Sequence, residues 1–124
     1  MKIYLIHASG YDFDNALYQP LKTSALVTKH HFVFPHEKKE TRSKAIIEDC
    51  DLVIAEVSYA STGSGIELGW ADMLNVPMLC LHQSNRKPSS AIPLLTHHVL
   101  AYEKASDIPD VIESWITHCQ SDAK

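Results

Sequence analysis

The chain has 124 residues, 45% of them apolar and 21% charged, with a formal net charge of −4. That length supports a packed core and points to one domain across 1–124 rather than two. The acidic balance offers no basic field for nucleic acid, and no apolar run approaches the roughly 20 residues that a membrane helix needs.

The start "MKIYLIHAS" holds one Lys and an apolar stretch too short for a signal peptide. Residues 2–7 read instead as a first strand. In "ASGYDFD", Asp12 or Asp14 is placed to cap a helix carrying Phe13, Leu17 and Leu21 at fourfold spacing. Pro20 lies inside that helix and predicts a kink or an early end. Residues 30–35 (HHFVFP) form a second strand stopped by Pro35. A charged loop follows, then a short helix over Ser43–Cys50. Residues 51–57 (DLVIAEV) are a third strand. A helix from Gly65 to Asn75 is apolar almost all round, which predicts burial. Residues 77–82 (PMLCLH) are a fourth strand, followed by the turn-rich "QSNRKPSS" and a short helix over Ala91–Leu95. Residues 97–103 are a fifth strand. The last helix puts Ile108, Val111, Ile112, Trp115, Ile116 and Cys119 on one stripe, and "QSDAK" reads as a polar tail.

Strands alternating with helices, the strands nearly continuous in apolar residues, indicate a five-stranded parallel α/β sheet with helices on both faces. Ligands in such folds bind beyond the carboxyl ends of the strands. Function is therefore expected in "HASGYD", "PHEKKE", "SYASTGSG" and "HQSNRKPSS".

One carboxylate stands out. Glu67 is the only early charge on the helix behind "STGSG", and a helix starting at Gly65 puts it in the first turn. The positive end of a helix favours an anion there. A carboxylate held ionised in a dry cleft is a nucleophile or a general base. Gly63 and Gly65 allow close approach of a ligand, and they equally suit a tight turn. Their spacing is neither GxGxxG nor a P-loop, and no Lys follows.

These residues carry a resemblance. "DLVIAEVSYASTGSGIELGWA" resembles the signature of the nucleoside 2-deoxyribosyltransferase superfamily, and within it the 2'-deoxynucleoside 5'-monophosphate N-glycosidases. "IYLIHASG", "PHE" and "CLH…SSA" extend the likeness more weakly, in the family's order. The resemblance implies a flavodoxin-like (Rossmann-like) fold, a cytosolic homodimer or higher homo-oligomer with shared sites, and no cofactor. It implies that Glu67 is the nucleophile at C1' of a (deoxy)ribose, with Tyr4 contacting it. Hydrolysis follows when water takes the sugar, and base exchange when a second base does. Ser61 stands where the nucleoside-handling branch has an acid and the monophosphate hydrolases have Ser. Ser89 or Ser90 matches a phosphate-contacting serine given across the dimer, and His36 a ligand-facing histidine. Arg86 and Lys87 add positive charge in the same loop.

The match departs at two places. The family's proton-handling Asp falls at Ser43, with Glu40, Glu48 and Asp49 nearby. The first loop, "HASGYD", lacks the Arg often found there. A nucleotide-binding module without turnover is thus a competing expectation, beside base exchange. Nothing suggests a metal. His30–His31 and His97–His98 are adjacent pairs on predicted strands, so each pair points to opposite faces, and no HExxH or Cys/His spacing occurs. Cys80 reads as a core thiol. Glu56, an acid near the end of an apolar strand, points to the cleft, to an interface or into the structure. Cys50, Cys80 and Cys119, without a CxxC, suit a reducing cytoplasm.

Overall fold

The computed structural model describes residues 1–37 and 42–122. Five strands form one sheet: β1 (Lys2–His7), β2 (His31–Val33), β3 (Leu52–Glu56), β4 (Met78–Gln83) and β5 (Val99–Tyr102). Their order is β2-β1-β3-β4-β5, and every pairing is parallel. A parallel pair needs a crossover, and each crossover here is helical.

Alternation along the strands loads both faces. Ile3, Leu5, Leu52, Ile54, Leu79 and Leu81 pack on one side, against Leu17, Leu21, Leu26, Ile108, Ile112 and Ile116. Tyr4, Ile6, Val53, Ala55, Met78 and Cys80 pack on the other, against Ile47, Leu68, Ala71 and Ile92. The first face is covered by α1 (Gln19–Lys22), α2 (Leu26–Lys29) and α6 (Ile108–Asp122). The second is covered by α3 (Ser43–Glu48), α4 (Thr62–Met73) and α5 (Ile92–Leu95).

Several boundaries differ from the sequence expectation. The segment after β1 begins as a wide π turn, Asp14–Tyr18, and becomes α1 only at Gln19, with Pro20 in its first turn. Pro lacks an N–H, and a helix start is where that loss costs nothing. Asp12 does serve the start: its carboxylate accepts from the Asn15 side chain at 3.0 Å and from the Asn15 N–H at 3.4 Å. The sequence reading left out α2. Neither histidine pair sits wholly on a strand, since His30 caps α2 and both His97 and His98 precede β5. The expected tail begins inside α6, which runs to Asp122.

The largest change concerns α4. It starts at Thr62, not Gly65, because Ser61 is its N-cap: the Ser61 hydroxyl accepts from the Ser64 N–H at 3.1 Å. Its far end is closed by Asn75 at φ 57°. There the Val76 N–H reaches Ala71 O and the Asn75 N–H reaches Asp72 O, a pair of bonds that stops a helix cleanly. Nor is α4 buried all round. Ile66 is 49% exposed and Met73 80%, and on α5 Leu94 is 86% exposed. Among the described residues no helix is long and apolar enough to cross a membrane.

Candidate active site

Tyr4 rises from the middle of β1 on the face covered by α3 and α4. Its hydroxyl donates to Glu67 Oε2 at 2.5 Å. Among the described residues Oε1 has no hydrogen-bond partner. Glu67 is half-buried and lies in the second turn of α4, with Gly63 one turn earlier on its face. The helix end therefore does not hold this carboxylate, contrary to the first-turn expectation. The phenol of Tyr4 does. Burial, then the bond to Glu67, raise the Tyr4 phenol well above its usual value, so it stays a donor at neutral pH. The hydroxyl of Ser43, at the start of α3, is close enough to Tyr4 to work the other way. Ser43 thus stands beside the pair, and it is not an acid. Glu40 lies outside the described residues.

A second group of candidate residues gathers at the start of α4, around a cleft whose lining does not include Tyr4, Glu67, Gly63 or His36. Besides accepting from the Ser64 N–H, the Ser61 hydroxyl donates to Ser64 Oγ at 2.8 Å. Ser64 was not singled out from the sequence, where it reads as a spacer between glycines. Gly65 N–H bonds Ser61 O. The N–H groups of Thr62 and Gly63 have no partner among the described residues, as expected at a helix start. Gly63 and Gly65 have ordinary negative φ, and a Cβ on either would meet nothing within 4 Å. The fold does not require glycine at either position, although each costs about 1 kcal/mol relative to Ala in a helix. Ser61, Ser64, Gly65 and Ser89 line a cleft of about 240 Å³ with Tyr59 and Ile92. Ser89 therefore reaches this cleft within its own chain. Ser90 is exposed next to it.

An aromatic wall stands beside β1. The His7 Nδ1–H donates to Ala8 O at 2.8 Å, so Nε2 accepts from the Tyr18 hydroxyl at 2.6 Å. Tyr18 in turn accepts from the His36 N–H at 3.3 Å. Burial lowers the pKa of His7 and keeps its ring neutral. The exposed ring of His36 tilts against His7 and Phe13, with centroids 4.8 and 5.0 Å away. The sequence reading named His36 for the site, took Phe13 only as part of a core-facing helix stripe, and missed Tyr18.

Glu56 opens neither to the cleft nor to a surface. It is 2% exposed and accepts from the Ser58 N–H (2.6 Å), the Ser58 hydroxyl (2.8 Å) and the Tyr102 hydroxyl. Three donors offset the cost of a buried carboxylate. Cys80 is fully buried, and burial pushes its thiol up to about 11. Among the described residues no group of three His, Cys, Asp or Glu is placed to hold a metal ion.

Comparison with known proteins gives a consistent picture. No family model matches the chain. Two curated proteins share sequence with it, both named "Putative 2'-deoxynucleoside 5'-phosphate N-hydrolase 1". The one from Syntrophotalea carbinolica is 35% identical over 72 residues, covering 54% of this chain and 49% of that protein. The one from Methanosarcina mazei is 32% identical over 78 residues, covering 60% and 48%. The chain thus spans about half the length of the curated relatives it matches. The resemblance is to the nucleoside 2-deoxyribosyltransferase superfamily, on its N-glycosidase side. The fold is shared with solved structures. Clostridium botulinum CMP N-glycosidase superposes with a TM-score of 0.67 at 17% identity, over 91% of this chain and 99% of its own. The 2-deoxyribosyltransferase of Bacillus psychrosaccharolyticus gives 0.67 at 18%, over 87% and 90%.

The tyrosines set an alkaline limit on stability. Burial raises the phenols of Tyr4, Tyr11, Tyr18 and Tyr102 above the ordinary 10.0. The native state keeps protons that the unfolded chain releases. That stability is complete below pH 10 and is lost as pH rises beyond it. The urea midpoint should fall between about pH 10 and pH 12, and Tyr4→Phe should blunt the fall. A midpoint constant across that range contradicts the assignment.

Proposed function

We propose that the chain is an N-glycosidase that cleaves the base–sugar bond of (deoxy)nucleoside 5'-monophosphates, with Glu67 as nucleophile. The observation that carries this reading is the Tyr4–Glu67 hydrogen bond, which leaves Glu67 Oε1 without a hydrogen-bond partner among the described residues. Oε1 attacks C1', the base departs with the bonding pair and takes up a proton, and a glycosyl ester remains. Water then adds to C1' and gives up a proton, releasing sugar 5-phosphate and the carboxylate. The ionised Glu67 facing C1' also stabilises the positive charge that develops on the sugar. Tyr4 holds Oε2, which fixes the rotamer and stabilises the carboxylate when the ester breaks. The names borne by the sequence relatives support a 5'-phosphate substrate.

In this reading the phosphate meets the start of α4, where unpaired N–H groups and the helix dipole favour an anion. Gly63 and Gly65 let it come close to the backbone. Ser61 contributes first as the cap that shapes this turn, and the cleft hydroxyls of Ser64 and Ser89 lie alongside. A second reading, binding without turnover, is favoured by one observation: Ser43 occupies the place beside Tyr4 where a proton-handling acid is expected. Base exchange is a third, supported by the fold shared with the deoxyribosyltransferase. We further propose a homodimer in the cytoplasm. The exposed apolar side chains of Ile66, Met73 and Leu94 are the surface it would cover.

Incubation with a panel of nucleotides and nucleosides, followed by chromatography for free base, tests the reaction. Glu67→Gln should keep the fold and lower turnover at least ~100-fold, since it removes the attacking charge and preserves shape. Equal rates for variant and wild type exclude the mechanism. Ligand binding without any released base selects the second reading.

Ser61→Asp separates phosphate recognition from folding. Asp caps helices as well as Ser does, so thermal stability should hold. The added carboxylate should weaken monophosphate binding about tenfold to a hundredfold and affect nucleosides far less. Equal loss for both ligands refutes the phosphate assignment.

For the dimer, sedimentation of the wild type at micromolar concentration should give twice the chain mass, and Met73→Glu with Leu94→Glu should give monomers. A wild type that sediments as an active monomer refutes the shared assembly.

A further inference from the structure

The cleft beside Ser61 has hydroxyls and backbone N–H groups but no cation among its lining residues. The loop after β1 offers none either, since Ala8–Asp12 contains no Lys or Arg. A cation stands one side chain away. The guanidinium of Arg86 lies over the ring of Tyr59, 4.3 Å from its centroid, and Tyr59 lines the cleft.

We infer that Arg86, positioned by Tyr59, supplies the positive charge that selects an anionic substrate at this cleft. The inference rests on the phosphate reading above and adds to it the residues that confer charge selectivity.

Three observations support it. First, the turn carrying Arg86 is tied down. The Arg86 N–H donates to Gln83 O at 3.0 Å. His82 Nδ1 lies 2.8 Å from Gln83 O and 2.9 Å from Arg86 O. The Gln83 side chain also donates to the Tyr59 hydroxyl at 3.4 Å. Second, Tyr59 is itself supported, stacked on Tyr11 with centroids 4.7 Å apart at 29°. Third, the charge is uncommitted. The ion pairs among the described residues join Lys2 to Asp49, Lys22 to Glu37 and Lys29 to Glu113, and none uses Arg86.

Chemistry favours Arg in this place. A guanidinium stacks through its face and keeps its edge N–H groups for a bidentate bond to phosphate. Stacking on an aromatic ring also orders the side chain in advance, which lowers the entropy cost of binding. Lys87, next in sequence, has no ring beneath it among the described residues.

The test is calorimetric titration of the full chain with a nucleoside 5'-monophosphate and with the matching nucleoside. A Glu67→Gln background keeps the ligand intact. Arg86→Gln should weaken monophosphate binding about tenfold to a hundredfold and change nucleoside binding less than about twofold. Tyr59→Leu should weaken the monophosphate in the same direction, while Tyr59→Phe, which keeps the ring, should retain affinity. In turnover assays without the Glu67 change, Arg86→Gln should raise KM and leave kcat. If Arg86→Gln binds the monophosphate normally while Ser61→Asp does not, this inference fails and the phosphate reading stands. If Arg86→Gln weakens both ligands equally, the residue is only structural. If the wild type binds nucleosides as tightly as monophosphates, both readings fall.

Discussion

A carboxylate buried at the end of the central strand organises the carboxyl edge of the sheet. Glu56 is the last residue of β3, and β3 lies between β1 and β4. Its oxygens hold Ser58 by backbone and side chain, and they reach Tyr102 at the end of β5. Ser58 Oγ in turn accepts from the Gln83 N–H at the end of β4. Three strand ends are thus fixed by one ionisable group. The chain leaving this knot has only Tyr59 and Ala60 before Ser61 must cap α4. The position of Glu67 relative to Tyr4 follows from that short, tightly held exit.

The arrangement divides labour between the two faces of the sheet. On the α6 side Glu56 is bonded to Tyr102 and His7 to Tyr18, two separate buried pairs that brace the frame. Tyr4, Ser43 and Glu67 meet on the α3–α4 side, where one carboxylate oxygen is left free. The start of α4 joins the two, because it receives the loop that Glu56 holds and presents the turn that precedes Glu67. On one side the Glu56 carboxylate is held by three donors, and on the other the Glu67 carboxylate is held by one and keeps an oxygen for chemistry.

Much of the architecture was legible in the sequence, since buried parallel strands read as short apolar runs. Four strands fall within their expected regions, β4 runs one residue past its own to Gln83, and the stripe of Ile108, Ile112 and Ile116 does face the core. The start of α4 was misplaced for a definite reason. Gly63 and Gly65 signal a turn by composition, yet both are helical here, and only the Ser61 cap reveals the true boundary. That shift moves Glu67 out of the first turn, while its pairing with Tyr4 came from the family resemblance rather than from any spacing. The roles of Glu56, Tyr59 and Arg86 depend on contacts across the sheet's edge. No local pattern encodes such contacts.

The strand order also governs how the chain must assemble in time. The central pairing joins Ile3 to Leu52, so β1 finds its inner neighbour only after β2 and two layers of helix have been made. Its outer neighbour, β2, is three residues long. During synthesis the first strand therefore waits with one short partner and an uncovered apolar face. Closing the long loop to β3 is the entropically expensive event, and the four-residue helices α1 and α2 are too short to hold without the sheet they pack on. From β3 outward the spatial order β3-β4-β5 follows the chain order, so each later strand emerges beside a neighbour already synthesised. The growth is one-directional, and it ends with α6 covering the face that opened first.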